Sequence, residues 1–140
     1  MNTPSTAKLV AKWQAGAPYL RSVLRIVAAF IIMQPGAAKL FAFPVAVMPG
    51  GGTVPIVSLL GLAGMLEVFG GFLLLVGLFT RPVAFVLSGE MAAAYLMGHA
   101  PHSFWTVINQ GFAAVLLCFI WLYISAAGGG PLSLDAKRGK

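Results

Sequence analysis

Charged side chains are scarce in this sequence, and acidic ones are the scarcest. Only 9% of the 140 residues are charged, with three acids against nine Lys or Arg residues. Water-soluble domains carry about a quarter charged residues, and one core of this size cannot hide so much apolar surface from water. Disorder is excluded for the opposite reason, since 59% of the residues are hydrophobic and the mean hydropathy is +0.92. The composition predicts a polytopic membrane protein.

Motifs for catalysis and metal binding are also missing. The single cysteine, Cys118, excludes an internal disulfide. His99 and His102 lie three residues apart and are too few ligands for a metal, so we interpret them as loop histidines. The glycine run 50–52 lacks the Lys-Ser/Thr pair of a phosphate loop. We therefore predict no catalytic residue and no metal site.

The net charge of +6 does not indicate a nucleic-acid partner. Basic residues next to apolar spans commonly set the orientation of a protein in the membrane. The basic cluster at the C-terminus is short and consists of Lys137, Arg138 and Lys140. We interpret it as a topology signal and predict that the chain binds no nucleic acid.

Four apolar runs follow one another along the chain, separated by segments rich in Pro and Gly. A helical span needs about 20 residues, and the runs are continuously apolar rather than alternating, which favours helices over barrel strands. We predict an all-α fold, a transmembrane four-helix bundle, between a polar N-terminus, 1–18, and a C-terminal tail, 128–140. The first run is long and contains Lys39, so it is not interpreted as a cleaved signal peptide. The predicted spans are about 19–43, 54–79, 83–98 and 104–127.

The basic residues outside the spans, together with Arg21 at the start of the first span, are predicted to lie on one side of the membrane. The two loops on the other side, 44–53 and 98–103, contain no Lys or Arg. By the positive-inside rule, both termini and the turn at Arg81 are then cytoplasmic. Trp105 and Trp121, towards opposite ends of the fourth run, are expected to be interface anchors. The residues on the cytoplasmic side are Lys8, Lys12, Arg21, Arg81, Lys137, Arg138 and Lys140.

Two acids, Glu67 and Glu90, lie in the middle of the second and third runs. A charge at the bilayer centre costs at least about 2.5–3.5 kcal/mol on insertion scales, so each acid should face a neighbouring helix and find a partner there. Glu67 shares one helix face with small residues that permit close helix contact. These small residues are Gly61, Gly64 and Gly71.

The first run supplies the expected countercharges. Lys39 follows Arg25 by 14 positions (39 − 25) on one stripe, which is about 21 Å along a helix axis. By depth we predict that Arg25 pairs with Glu90. Lys39 should lie near the level of Asn109 and Gln110, and Glu67 between the two cations. The alternative is that these buried charges only set helix register. The prediction is one shared polar core and ligand site, formed by Arg25, Gln34, Lys39, Glu67, Glu90, Asn109 and Gln110.

Several short motifs occur in a fixed order. They are Arg25, Gly-Ala-Ala-Lys at 36–39, Glu-Val-Phe-Gly-Gly at 67–71, Gly-Leu-Phe-Thr-Arg at 77–81, and Gly-Gly-Gly-Pro-Leu-Ser-Leu-Asp at 128–135. Together they resemble the DoxX family of small bacterial membrane proteins. The resemblance implies four helices in the inner membrane. Many relatives carry a Glu where this chain has Phe112, and we expect the adjacent Asn109 and Gln110 to replace part of its polarity.

The resemblance also suggests a function. Family members have been linked to a thiosulfate:quinone oxidoreductase as a small subunit, and to membrane-associated redox or thiol-stress complexes. We predict an accessory, non-catalytic subunit of a membrane redox system, with the bilayer and a redox enzyme complex as partners. A quinone is the one candidate cofactor, held by the cations and the acids of the polar core. A homo-oligomer, a small-solute or lipid transporter, and a structural scaffold without a ligand stay open.

Overall fold

A computed structural model describes residues 4–139, and within that range the chain contains helices and no strand. The all-α prediction is confirmed. Residues 1–3 lie outside the described residues. Lys140, which belongs to the predicted topology signal, also lies outside them. We number the helices α1 Pro4–Phe41, α2 Leu59–Val76, α3 Thr80–Ala94 with its π-helical continuation Tyr95–His99, α4 Thr106–Asn109, α5 Phe112–Ala127 and α6 Leu134–Lys137.

The first helix begins well before the predicted span. The segment expected to be a polar N-terminus, 1–18, is helical from Pro4 onward. The reason lies in its composition, since Ala, Leu, Lys and Gln are strong helix formers. Pro18 and Pro35 both lie inside the helix. The side chains of residues 5–20 are almost all exposed, so this part of α1 extends beyond the packed helices.

Local backbone chemistry decides where the next two helices begin and end. The second run begins at Leu59 rather than near 54, because Ser58 caps the helix and accepts a hydrogen bond from the Gly61 amide at 3.0 Å. It ends at Val76 because Gly77 is left-handed, with φ 72°. The third helix then starts at Thr80, so Pro82 falls in its first turn, where a proline is tolerated.

The fourth run is not one helix. It divides into the short α4 and the long α5, because Gln110 takes a left-handed conformation with φ 59° and Gly111 follows it. The C-terminal tail is also partly helical, since Ser133 accepts a hydrogen bond from the Ala136 amide at 3.1 Å and caps α6. The first three apolar runs therefore contain parts of α1, α2 and α3, and the fourth contains both α4 and α5.

The buried core lies where α1, α2, α3 and α5 meet. Trp121 is completely buried, so its prediction as an interface anchor is wrong, whereas Trp105 is 64% exposed. The outer surface is also rich in large apolar side chains, which is unusual for a protein that is monomeric in water. The buried core residues are Ala28, Ala29, Ile32, Leu74, Ala84, Leu87, Met91, Ala114, Leu117, Trp121 and Ile124.

Helices α1 and α2 approach closely through glycine. The predicted small-residue stripe on α2 is buried along its whole length, which confirms that it is a contact face. On the α1 side, a Cβ at Gly36 would lie 2.8 Å from the Glu67 Cβ and 2.8 Å from the Val68 Cγ2. A Cβ at Gly71 would lie 2.5 Å from the Met33 Cγ. Only glycine at positions 36 and 71 allows the backbones of α1 and α2 to lie this close together.

A matched pair of glycine substitutions tests this contact. Gly36→Ala should lower the midpoint of unfolding in detergent, because overpacking costs about 1–3 kcal/mol and outweighs the gain of at most about 1 kcal/mol in helix propensity. Gly89→Ala, also in a helix, meets nothing within 4 Å and should leave the midpoint unchanged or raise it. Circular dichroism against denaturant measures both. Equal stability of the two variants would contradict the contact.

Candidate functional site

A buried ion pair joins the last turn of α1 to the middle of α2. The Lys39 Nζ donates to Glu67 Oε1 at 2.7 Å and to Oε2 at 2.6 Å, so both carboxylate oxygens are engaged. The Glu67 side chain is 4% exposed and that of Lys39 is 16% exposed. Breaking an ion pair with so little solvent exposure costs folding free energy, because the remaining partner would be left as an unpaired buried charge.

The helix is locally widened at this acid. Residues Leu66–Gly70 form a π-helical stretch inside α2, and Glu67 lies within it. Such single-turn insertions are rare in α-helices and are frequent at functional sites. A second π-helical stretch, Tyr95–His99, ends α3. Both stretches contribute residues to one cavity.

That cavity is a lateral pocket of about 630 Å³ between α2 and α3, close to the end of α1. Its polar groups come from Lys39, Glu67, Glu90 and His99. The rest of its lining is apolar, and several of those side chains are about half exposed on the outer surface of the helices. The pocket therefore combines a charged interior with an apolar mouth. The large apolar lining residues with exposed side chains are Leu59, Leu60, Leu62, Val86 and Met97.

Glu90 is the third charged group of the lateral pocket. Its Oε2 atom is buried, and within residues 4–139 it has no hydrogen-bond partner. A buried carboxyl oxygen without a partner costs free energy, so it marks a place where a ligand or water is expected to bind. The predicted pairing of Glu90 with Arg25 is wrong, because the guanidinium bonds to backbone carbonyls elsewhere.

His99 is a pocket residue that the sequence analysis missed. It was interpreted as a loop histidine, but it lies in the π-helical end of α3 and lines the pocket. Its Nδ1 donates to the carbonyl oxygen of Asn109 at 2.8 Å, so Nε2 is the ring nitrogen left for another partner. In a regular α-helix a residue nine positions after Glu90 (99 − 90) would face the opposite side. The π-helical stretch changes the angular position of His99 around the helix axis. No pattern in the sequence predicted this stretch.

The predicted amide members of the site do not form part of the pocket. Asn109 is buried and organises the loop before α5, donating to the Ser103 carbonyl at 2.8 Å and accepting from the Gly111 amide at 2.7 Å. Gln110 is exposed and bonds to the Val107 carbonyl, and Gln34 is exposed on α1. Neither Asn109 nor Gln110 therefore adds a polar side chain to the lateral pocket.

Arg25 lies at the opposite end of the helices and forms a separate polar cluster. Its side chain is completely buried and donates to the carbonyls of Gly129 at 3.0 Å, Leu75 at 2.8 Å and Leu132 at 2.6 Å, and also to that of Leu74. The prediction of one shared polar core is therefore wrong. The physical reason is that Arg25 lies close to the end of α2, where it donates to the Leu75 carbonyl and adds a second hydrogen bond to that of Leu74, which also accepts from the Gly77 amide.

Asp135 closes the same end of the molecule. Its carboxylate accepts from the Phe79 amide at 3.0 Å and the Thr80 amide at 2.7 Å, which caps the start of α3. Its own amide donates to the Gly77 carbonyl at 2.9 Å. Burial alone would raise the pKa of Asp135, but the hydrogen bonds from Thr80 and Phe79 and the nearby Arg138 together lower it. The predicted closing motif thus docks the tail onto the α2–α3 turn.

The structure defines a small all-helical protein in which two helices of the described chain are long and apolar enough to cross a membrane, α1 and α2. A model of the DoxX family matches residues 20–100, and the chain belongs to this membrane-associated family. A protein of Haemophilus influenzae described as uncharacterized is 41% identical over 123 residues, which cover 86% of this chain and 91% of that relative. No solved structure gives a significant match.

A double-mutant cycle tests the buried ion pair. Lys39→Met and Glu67→Leu should each cost about 3–5 kcal/mol of stability, because each leaves an unpaired buried charge. The double variant should recover most of that loss. Unfolding in detergent, followed by circular dichroism, gives the coupling energy. Additive losses in the double variant would contradict a direct interaction.

The Asp135 cap makes a pH-dependent contribution to stability. Because its folded-state pKa lies below the ordinary value, the cap contributes fully above that ordinary pKa, about 3.9, and its contribution is lost as pH falls through the folded-state pKa. Asp135→Asn should therefore lower the melting temperature near neutral pH. The difference from the unmodified chain should shrink below about pH 4. A difference that is constant with pH would contradict the charged cap.

Proposed function

We propose that this chain is a multi-pass protein of the bacterial inner membrane in which α1, α2, α3 and α5 cross the bilayer, with both termini cytoplasmic. Several features support this arrangement: the apolar outer surface, the two helices of spanning length, and the basic residues at the Arg25 end of the molecule. The lateral pocket then opens towards the acyl chains in the outer half of the membrane.

Within this arrangement the lateral pocket binds the head group of a lipid-soluble ligand, for which a quinone is the proposed class. The observation that carries the proposal is the combination of an apolar mouth with an ammonium, two carboxyl groups and an imidazole inside a volume of about 630 Å³. A quinone presents two carbonyl oxygens on a flat ring, with an apolar tail. The tail would lie along the exposed leucines at the mouth.

Each polar group of the pocket has a distinct task in this proposal. Lys39 donates to one carbonyl of the ring, while Glu67 keeps the ammonium in place. Glu90, whose Oε2 has no partner within the described chain, exchanges a hydrogen bond or a proton with the second oxygen. The Nε2 of His99 is available as a further acceptor. Electrons belong to a partner enzyme, so the chain acts as an accessory subunit of a redox system.

The shape of the pocket favours binding over transport. Among residues 4–139 its lining comes from the end of α1, the first half of α2 and α3 from Val86 onward. It does not extend to the Arg25 end, where Arg25 is enclosed by backbone carbonyls. This geometry fits a ligand-binding site better than a transport pathway through the chain.

Binding of a water-soluble ubiquinone analogue to the purified protein in nanodiscs tests the proposal. Glu90→Gln should weaken binding about tenfold or more, because it alters the hydrogen bond to the second ring oxygen. Ser125→Ala, which alters a side chain outside the lateral pocket, should leave the affinity unchanged. Equal titration curves for Glu90→Gln and the unmodified protein would count against the assignment, and absence of binding to the unmodified protein would dispose of it.

A further inference from the structure

A second cavity, of about 460 Å³, lies at the opposite end of the molecule from the lateral pocket. It lies between α1, the start of α3 and the glycine-rich segment after α5, and we call it the basal cavity. Its charged lining residues are Arg21, Arg81 and Asp135. Nothing in the proposed function uses it, and none of its lining residues belongs to the lateral pocket.

Arg21 brings an unsatisfied charge to the basal cavity. Its Nε atom is buried and has no hydrogen-bond partner in the part of the chain that the structure describes. A guanidinium group stays protonated in proteins and has five N–H donors, none of which can accept. Burying one of these donors without an acceptor is unfavourable, because the donor loses its hydrogen bonds to water and gains none in return. We therefore expect the Arg21 Nε to donate to an acceptor on a bound ligand that is not part of the polypeptide.

Arg81 faces the same cavity with part of its guanidinium unused. Its Nη1 donates to the carbonyls of Ser125, at 3.3 Å, and Ala126 at the end of α5. The remaining nitrogens lie alongside Gly128, where a Cβ would be 3.3 Å from Nη2 and 3.6 Å from Nε. Glycine at this position, with φ 83°, therefore leaves space beside the guanidinium.

The charges around the basal cavity do not balance. Of the three acids in the sequence, Glu67 and Glu90 line the lateral pocket. Asp135 has both oxygens engaged by backbone amides. Among residues 4–139 the salt bridge present is Lys39–Glu67, so neither Arg21 nor Arg81 has a carboxylate within 4 Å. Two guanidinium groups thus share the cavity with one carboxylate that is already occupied.

We propose that the basal cavity binds a phosphate group, held between the guanidinium groups of Arg21 and Arg81. Phosphate oxygens match the fork of N–H donors on arginine and form strong, charge-assisted hydrogen bonds with it. The phosphate is supplied either by a phospholipid head group or by a free phosphate compound. Apolar side chains at the cavity edge, Phe79 and Pro82, suit the glycerol region of a lipid.

The test uses the full chain, purified without phosphate, and two probes. Inorganic phosphate is added in detergent and the melting temperature is followed. In the second arm, phosphatidylglycerol or phosphate-free diacylglycerol is added, and native mass spectrometry counts the retained lipid. Arg21→Gln should reduce binding about tenfold or more. Arg138→Gln removes the same charge from an exposed residue directly after α6 that does not line the cavity, and should bind as the unmodified chain does.

The outcomes separate the two sources of phosphate. Stabilisation by inorganic phosphate that depends on Arg21 supports a free phosphate ligand. Retention of phosphatidylglycerol but not diacylglycerol, with the same dependence, supports a lipid head group. Equal losses in Arg21→Gln and Arg138→Gln, or no binding in either arm, would overturn the proposal. Arg21→Lys, which keeps the charge without the fork, should bind with intermediate affinity and controls for misfolding. None of these results depends on the lateral pocket.

Discussion

The guanidinium of Arg25 connects three parts of the chain that are far apart in sequence. It lies on α1, completely buried, and donates to carbonyls at the end of α2 and in the segment after α5. A helix end leaves its last carbonyls without partners inside the helix, and buried carbonyls need donors from elsewhere. Arg25 resolves this problem and, by the same bonds, holds the glycine-rich segment beside α1. The same segment continues to Asp135, which caps α3, so both contacts hold the C-terminal part of the chain at this end of the molecule.

The two ends of the molecule use their charges in different ways. At the Arg25 end, cations meet backbone carbonyls, and the single nearby acid caps a helix. At the other end, Lys39 and Glu67 form a buried ion pair beside Glu90 and a large pocket. A buried ion pair alone is weak evidence for function, since it can also fix helix register. The pocket and the unpaired Glu90 oxygen are what separate this site from a purely structural pair.

Much of the fold could be predicted from helical periodicity and apolar length. The buried faces of α1 and α2 follow from spacing alone, and Arg25, Gly36, Glu67 and Gly71 all lie on them. The pairing of the charges could not be predicted in this way. We predicted Arg25 as the partner of Glu90 from their depth along the helix axes. Depth alone does not determine how each helix is rotated or where it lies relative to the others. The π-helical stretches change that rotation locally and bring His99 into the pocket.

The sequence by itself determined the all-helical class, because this class depends on composition and short-range periodicity. It also determined how few charged residues there are and at which positions they lie. The motifs from Arg25 to Asp135 were also enough to identify the family. Only the tertiary structure decided which charges meet, because a buried charge is satisfied by whichever acceptor packing brings within hydrogen-bond distance. For Lys39 that acceptor is a carboxylate, and for Arg25 it is the backbone itself. Backbone carbonyls are the same at every position in a sequence, so no pattern of side chains could have announced them.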